Sequence, residues 1–119
     1  MGKLILKNFR ITIYDNNTPE NLKDFNDEVD VNIMQEGKEW CARFTLYIFS
    51  YNRLEQYENL TDEAGLYLRF TLIMKCYDEK IIENHIQQIL DKCNLQPPEK
   101  RFNYLSYYLK SENEEDLYY

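Results

Sequence analysis

Between Gly65 and Cys93 the chain changes its period, and that change constrains the fold more than any other feature. Leu66, Leu68, Phe70, Leu72 and Met74 alternate with Tyr67, Arg69, Thr71 and Ile73, the two-residue period of a strand with one buried face. At Asp78 the period lengthens. Ile82, Ile86, Ile89, Leu90 and Cys93 recur at three- and four-residue spacing, the apolar stripe of an amphipathic helix from Asp78 to Cys93. Asp78 is placed to cap its start, Glu79 and Lys92 suit its two ends, and Gln96-Pro97-Pro98 stops it.

The rest of the chain reads as further strands. Lys3 to Tyr14 forms a first strand, with Phe9, Ile11 and Ile13 on one face and Leu4 and Leu6 on the other. Asp15-Asn16-Asn17-Thr18-Pro19 is a turn cluster. Glu20 to Asp27 follows as a polar loop or single helical turn anchored by Leu22 and Phe25. Val29, Val31 and Ile33 alternate with Glu28, Asp30 and Asn32. Glu36-Gly37-Lys38 turns the chain, and Trp40, Ala42, Phe44, Leu46 and Ile48 return as the inward phase of a β-hairpin. Cys41, Arg43, Thr45, Tyr47 and Phe49 form the opposite phase. Tyr51 to Glu58 reads as a short helix, and Phe102, Leu105 and Leu109 are spaced for a second helical face. These elements predict an α+β fold, a mainly antiparallel sheet of about four strands with helices packed on one face. Residues 1–96 are expected to form the domain and residues 97–119 a helical extension with an acidic tail.

At 119 residues, 44% of them hydrophobic, the chain is expected to bury about two thirds of its unfolded surface. No run nears the ~20 apolar residues of a membrane span, and Met1 to Lys7 is too short in apolar character for a signal peptide, so no membrane role and a cytoplasmic location are expected. A net charge of −7 disfavours direct nucleic-acid binding, which needs a basic face. The same charge suits docking onto a basic protein.

Catalytic apparatus is sparse. Cys41, Cys76 and Cys93 are widely spaced, and one histidine, His85, cannot complete a usual zinc set, so free thiols and no metal or other cofactor are expected. His85 lies beside the helical stripe with no nucleophile nearby in sequence. Asp27, Glu28 and Asp30, like Asp62 and Glu63, read as solvated surface rather than an acid–base pair. The eleven tyrosines are the less usual signal, since tyrosine offers rigid area with a hydrogen-bonding tip. Arg43, Tyr47, Tyr67 and Arg69 share one strand phase. If helices cover only the opposite face, they form an aromatic–arginine patch; if the C-terminal segment packs over them, Tyr47 and Tyr67 are core. Glu112, Glu114, Glu115 and Asp116, closing on Tyr118 and Tyr119, read either as a solvated terminus or as a contact arm.

Several stretches together resemble a known family. Phe25 precedes Val29-Asp30-Val31-Asn32-Ile33; Glu36-Gly37 precedes Phe44-Thr45-Leu46-Tyr47-Ile48 and Leu54. Gly65 precedes Leu72-Ile73-Met74-Lys75-Cys76-Tyr77-Asp78, which leads into Ile81-Ile82, Ile86, Ile89-Leu90 and Cys93. Over residues 3 to 93 the chain is similar to the immunity protein 8 family of bacterial polymorphic toxin systems, with the residues from Pro97 onward outside the resemblance. The resemblance implies a cytosolic, non-enzymatic antidote in bacterial competition that binds and blocks a cognate toxin domain, a basic nuclease being one class that an acidic protein would suit. Expected partner-binding residues are the Arg43, Tyr47, Tyr67 and Arg69 face and the acidic tail with Tyr118 and Tyr119. Two rivals remain: a small adaptor or inhibitor of another host protein, and a carboxylate-dependent hydrolase.

Overall fold

In a computed structural model, which describes residues 2–11, 21–53 and 70–112, the hairpin is the centre of a five-stranded sheet. Strands β1 (Leu4–Ile11), β2 (Asn26–Gln35) and β3 (Cys41–Ser50) run antiparallel in sequence order. The β2–β3 turn forms as its residues require: Gly37 adopts φ +85°, where a side chain would be strained, and Lys38 N–H donates to the Gln35 carbonyl at 3.0 Å. Val29, Val31 and Ile33 are fully buried, and Phe44, Leu46 and Ile48 face them from β3.

Two features of the sheet differ from the sequence expectation. First, β1 does not set Leu4 and Leu6 on the face opposite Phe9 and Ile11, although Ile5 is exposed. The register shifts between Leu6 and Asn8, so Lys7 is an extra residue that turns the strand's phase over. Leu4 and Leu6 before the bulge, and Phe9 and Ile11 after it, therefore all face the core. Second, the strand expected over 66–74 is described only as β4 (Thr71–Met74), preceded by Phe70 at φ +59°, and it pairs with β3 in parallel. Leu66 to Arg69 lie outside the described residues. The free side of β3 is shared: Tyr47–Ser50 pair with β4, while Phe44 and Thr45 pair antiparallel with β5 (Lys110–Ser111).

Helix α1 (Glu79–Asn94) covers the inner face. Asp78 caps it by accepting the Lys80 N–H at 2.9 Å, and Ile82, Ile86, Ile89, Leu90 and Cys93 are buried against the sheet. That stripe is the spacing that the sequence shows. A 3₁₀ turn (Pro98–Lys100) leads to the short helix α2 (Arg101–Leu105), and Leu105 and Leu109 enter the same core, fully buried. Of the helix expected from Tyr51 to Glu58, residues 51–53 are helical and the rest lies outside the described residues. No helix among the described residues is long and apolar enough to cross a membrane.

Candidate functional site on the outer sheet face

Cross-strand register lays the outward-facing side chains in rows, because paired residues share a sheet face. Asn8, Asn32 and Arg43 form one row. Arg10, Asp30, Thr45 and Lys110 form the next, and Glu28, Tyr47 and Thr71 the third. The helices among the described residues pack on the other side, and on this face Arg10 and Arg43 are exposed and Tyr47 is half-buried, while Thr45 is buried.

Arg43 sits where the sheet face meets the C-terminal segment. Its guanidinium lies 3.4 Å from Glu112 and 3.9 Å from Asp30, and the Glu112 N–H donates to the Arg43 carbonyl at 3.2 Å. Its side chain stays 59% exposed. One strand position along, Lys110 Nζ donates to the Tyr47 hydroxyl at 3.2 Å and stands 5.8 Å from the ring centroid, within cation–π range. Tyr47 is half-buried, neither core nor freely exposed. Arg43, Tyr47 and Glu112, which sequence reasoning divides between two patches, thus form one contiguous surface through β5. Tyr67, Arg69, Glu114, Glu115, Asp116, Tyr118 and Tyr119 lie outside the described residues.

The distribution of charge is uneven. Thirteen of the fourteen Lys and Arg residues, against twelve of the twenty-one Asp and Glu, belong to the described part, which therefore carries +1. The other segments hold one arginine against nine carboxylates, or −8. The acidity that the composition reports is a property of residues 12–20, 54–69 and 113–119 rather than of the described residues.

Two side chains depart from their expected places. Trp40 is half-exposed rather than core: it stacks on Phe102 (centroids 5.7 Å apart), which stacks on Phe44 at 6.5 Å. Only the position of α2 creates that stack, so strand alternation alone could not reveal it. Asp27 is buried, not solvated surface, being only 3% exposed on the inner phase of β2. Its Oδ2 has no hydrogen-bond partner among the described residues, and burial pushes its pKa up against the opposing pull of the Arg53 guanidinium. Asp27 in turn helps raise the Tyr77 phenol, whose main cause is burial, followed by Glu79, then Asp27 and Asp78.

Little here resembles an acid–base or nucleophilic centre. His85 is half-buried; burial, and then Lys92, lower its pKa. The three cysteines are free thiols, and burial pushes Cys93 up to about 11. Among the described residues no group of three His, Cys, Asp or Glu side chains is arranged to hold a metal.

The family model described as Immunity protein 8 matches residues 4–116, well past the 3–93 stretch in which the sequence resemblance lies. Comparison with curated proteins and with solved structures returns no match.

Proposed function

The chain belongs to the immunity protein 8 family, and on that premise we propose that it neutralises a cognate bacterial toxin domain by occupying its surface, without catalysis, through the outer sheet face and the acidic tail. The observation that carries this reading is the junction at Arg43, where the tail's first carboxylate, Glu112, and the aromatic–cation pair Tyr47–Lys110 share one face. Tyrosine and arginine are among the side chains that most often anchor interfaces, because they offer large contact area and hydrogen-bonding tips.

The two kinds of surface have separate tasks in binding. Carboxylates grouped in residues 12–20, 54–69 and 113–119 attract a basic toxin, such as a nuclease, from a distance and so raise the association rate. The near-neutral sheet face then holds the partner through desolvated contacts, which govern dissociation.

Expression of the toxin domain encoded immediately upstream, alone and with this chain, tests the reading. Death alone, survival together and co-purification of the two proteins are expected. Full toxicity in the presence of folded protein rules the immunity role out. Tyr47→Ala is expected to speed dissociation, and charge reversal at Glu114, Glu115 and Asp116 to slow association.

A further inference from the structure

Across the first two rows of the outer face runs a cleft of about 300 Å³ lined by Asn8, Phe9, Arg10, Asp30, Asn32 and Arg43. Two arginines line it, Arg10 from β1 and Arg43 from β3, on either side of β2. Arg43 is partly engaged by Asp30 and Glu112, yet remains mostly exposed. Arg10, cross-strand from Asp30, is exposed and takes part in none of the ion pairs among the described residues. Between them Asn32 Nδ2 donates to Asn8 Oδ1 at 2.6 Å. That bond uses the Asn8 acceptor and leaves its own Nδ2 as a further donor.

We propose that this cleft seats one carboxylate side chain, an aspartate or glutamate of the toxin domain, between Arg10 and Arg43 with the Asn8 amide as third donor; the identity of the partner rests on the immunity reading. The donor set selects this ligand. Asp30 and Glu112 both engage Arg43, whereas Arg10 has no ion pair among the described residues and is left to take one incoming carboxylate. A phosphodiester backbone would bring successive charges against Asp30, Glu112 and a chain of net −7. Size agrees, because a cleft at the lower end of ligand-site volumes holds one side chain rather than a helix or strand. Planar guanidiniums supply the paired N–H donors that a carboxylate accepts, a geometry that lysine cannot reproduce.

The contact would act on residence rather than encounter. A partner acid gains nothing at long range from a chain that is acidic overall, so its value appears only once the groups are desolvated. Arg10→Gln is therefore expected to raise the dissociation rate from the toxin domain by about tenfold or more with little change in association rate. Asn8→Asp, which places a carboxylate in the cleft itself, is expected to do the same.

A toxin-free titration tests the cleft independently. N-acetylglutamate N-methylamide is added to ¹⁵N-labelled protein at constant ionic strength, with the glutamine analogue as the neutral control. Saturable shifts at the Arg10 and Arg43 Nε–H and Asn8 Nδ2 signals, absent with glutamine and lost in Arg10→Gln, are expected. Shifts equal to those at Arg53 and Arg101 overturn the proposal, as does their loss in wild-type protein but gain on removal of residues 113–119, which would make the chain's own tail the occupant. Arg10→Gln and Asn8→Asp protein that melts like wild type and keeps full toxin affinity overturns the proposal while leaving the immunity reading standing. Failure of wild-type protein to bind the toxin domain removes that reading instead, and the titration then decides the cleft alone.

Discussion

The side-chain amide of Asn94, at the end of α1, exchanges two hydrogen bonds with the backbone of Leu4: the Leu4 N–H donates to Oδ1 at 2.8 Å, and Nδ2 donates to the Leu4 carbonyl at 3.0 Å. An amide so placed imitates one residue of a neighbouring strand. It caps the outer side of β1, whose one strand partner among the described residues is β2. The Lys7 bulge and the exposed charges of Lys3, Lys7 and Arg10 continue the protection, since an edge that is kinked and charged is a poor template for another chain. Asn94→Ala is expected to cost about 1–3 kcal/mol by leaving a part-buried N–H and C=O without partners. Urea unfolding measures the loss. Asn94→Asp, which removes the donor but keeps the acceptor, should fall between the two.

Ser50 makes a comparable link inside the fold. Its Oγ accepts the Phe25 N–H at 3.0 Å and the Arg53 N–H at 3.1 Å, and its own N–H donates to the Phe25 carbonyl at 2.9 Å. Ser50 is fully buried, so Ser50→Ala strands the Phe25 N–H away from water. A destabilisation of about 1–3 kcal/mol is expected in urea melts, against less than about 0.5 kcal/mol for alanine at the exposed Asn52.

Asp27 predicts an unusual pH dependence. Burial raises its folded pKa above the ordinary 3.8, so the folded state binds this proton more tightly than the unfolded chain does. The associated stability is fully present below the ordinary carboxylate value and is lost as pH rises through the raised one. Asp27→Asn should flatten that slope and raise the melting temperature at neutral pH, because it replaces a buried carboxylate whose Oδ2 has no partner among the described residues. Thermal melts of both proteins from pH 4 to 8 check it; parallel curves would refute the assignment.

Tyr47 separates structural from binding roles. Tyr47→Phe removes only the hydroxyl that accepts from Lys110 and should change stability by less than about 1 kcal/mol. Tyr47→Ala removes a half-buried ring and should cost about 1.5–3 kcal/mol, with faster amide exchange in residues 110–112 where β5 rests on β3. Chemical denaturation and hydrogen exchange provide the two readouts.

The thiols should react in two classes. Cys93 is fully buried and pushed up to about 11, whereas Cys41 and Cys76 are only partly covered. At pH 8, two thiols are expected to react with a disulfide reagent in native protein and the third only on unfolding.

Everything whose cause is local was legible in the sequence. The stripe from Ile82 to Cys93, the cap at Asp78, the turn at Gly37 and the alternation of Val29, Val31 and Ile33 each follow from neighbours within a few residues, and each appears where its spacing places it. Tertiary structure decided what depends on distant partners. The apolar residues of β1 read as two faces because the extra Lys7 is visible only against β2, which supplies the register. The parallel setting of β4, the β5 contact that brings Glu112 to Arg43, and the Trp40–Phe102–Phe44 stack depend on which element reaches the open side of β3, and side-chain period carries no record of that. Asp27 shows the same limit, since a carboxylate in an acidic run looks solvated until the elements packed over the inner sheet face decide its burial. Periodicity specifies a residue's face within its own element; contacts far along the chain specify what that face meets.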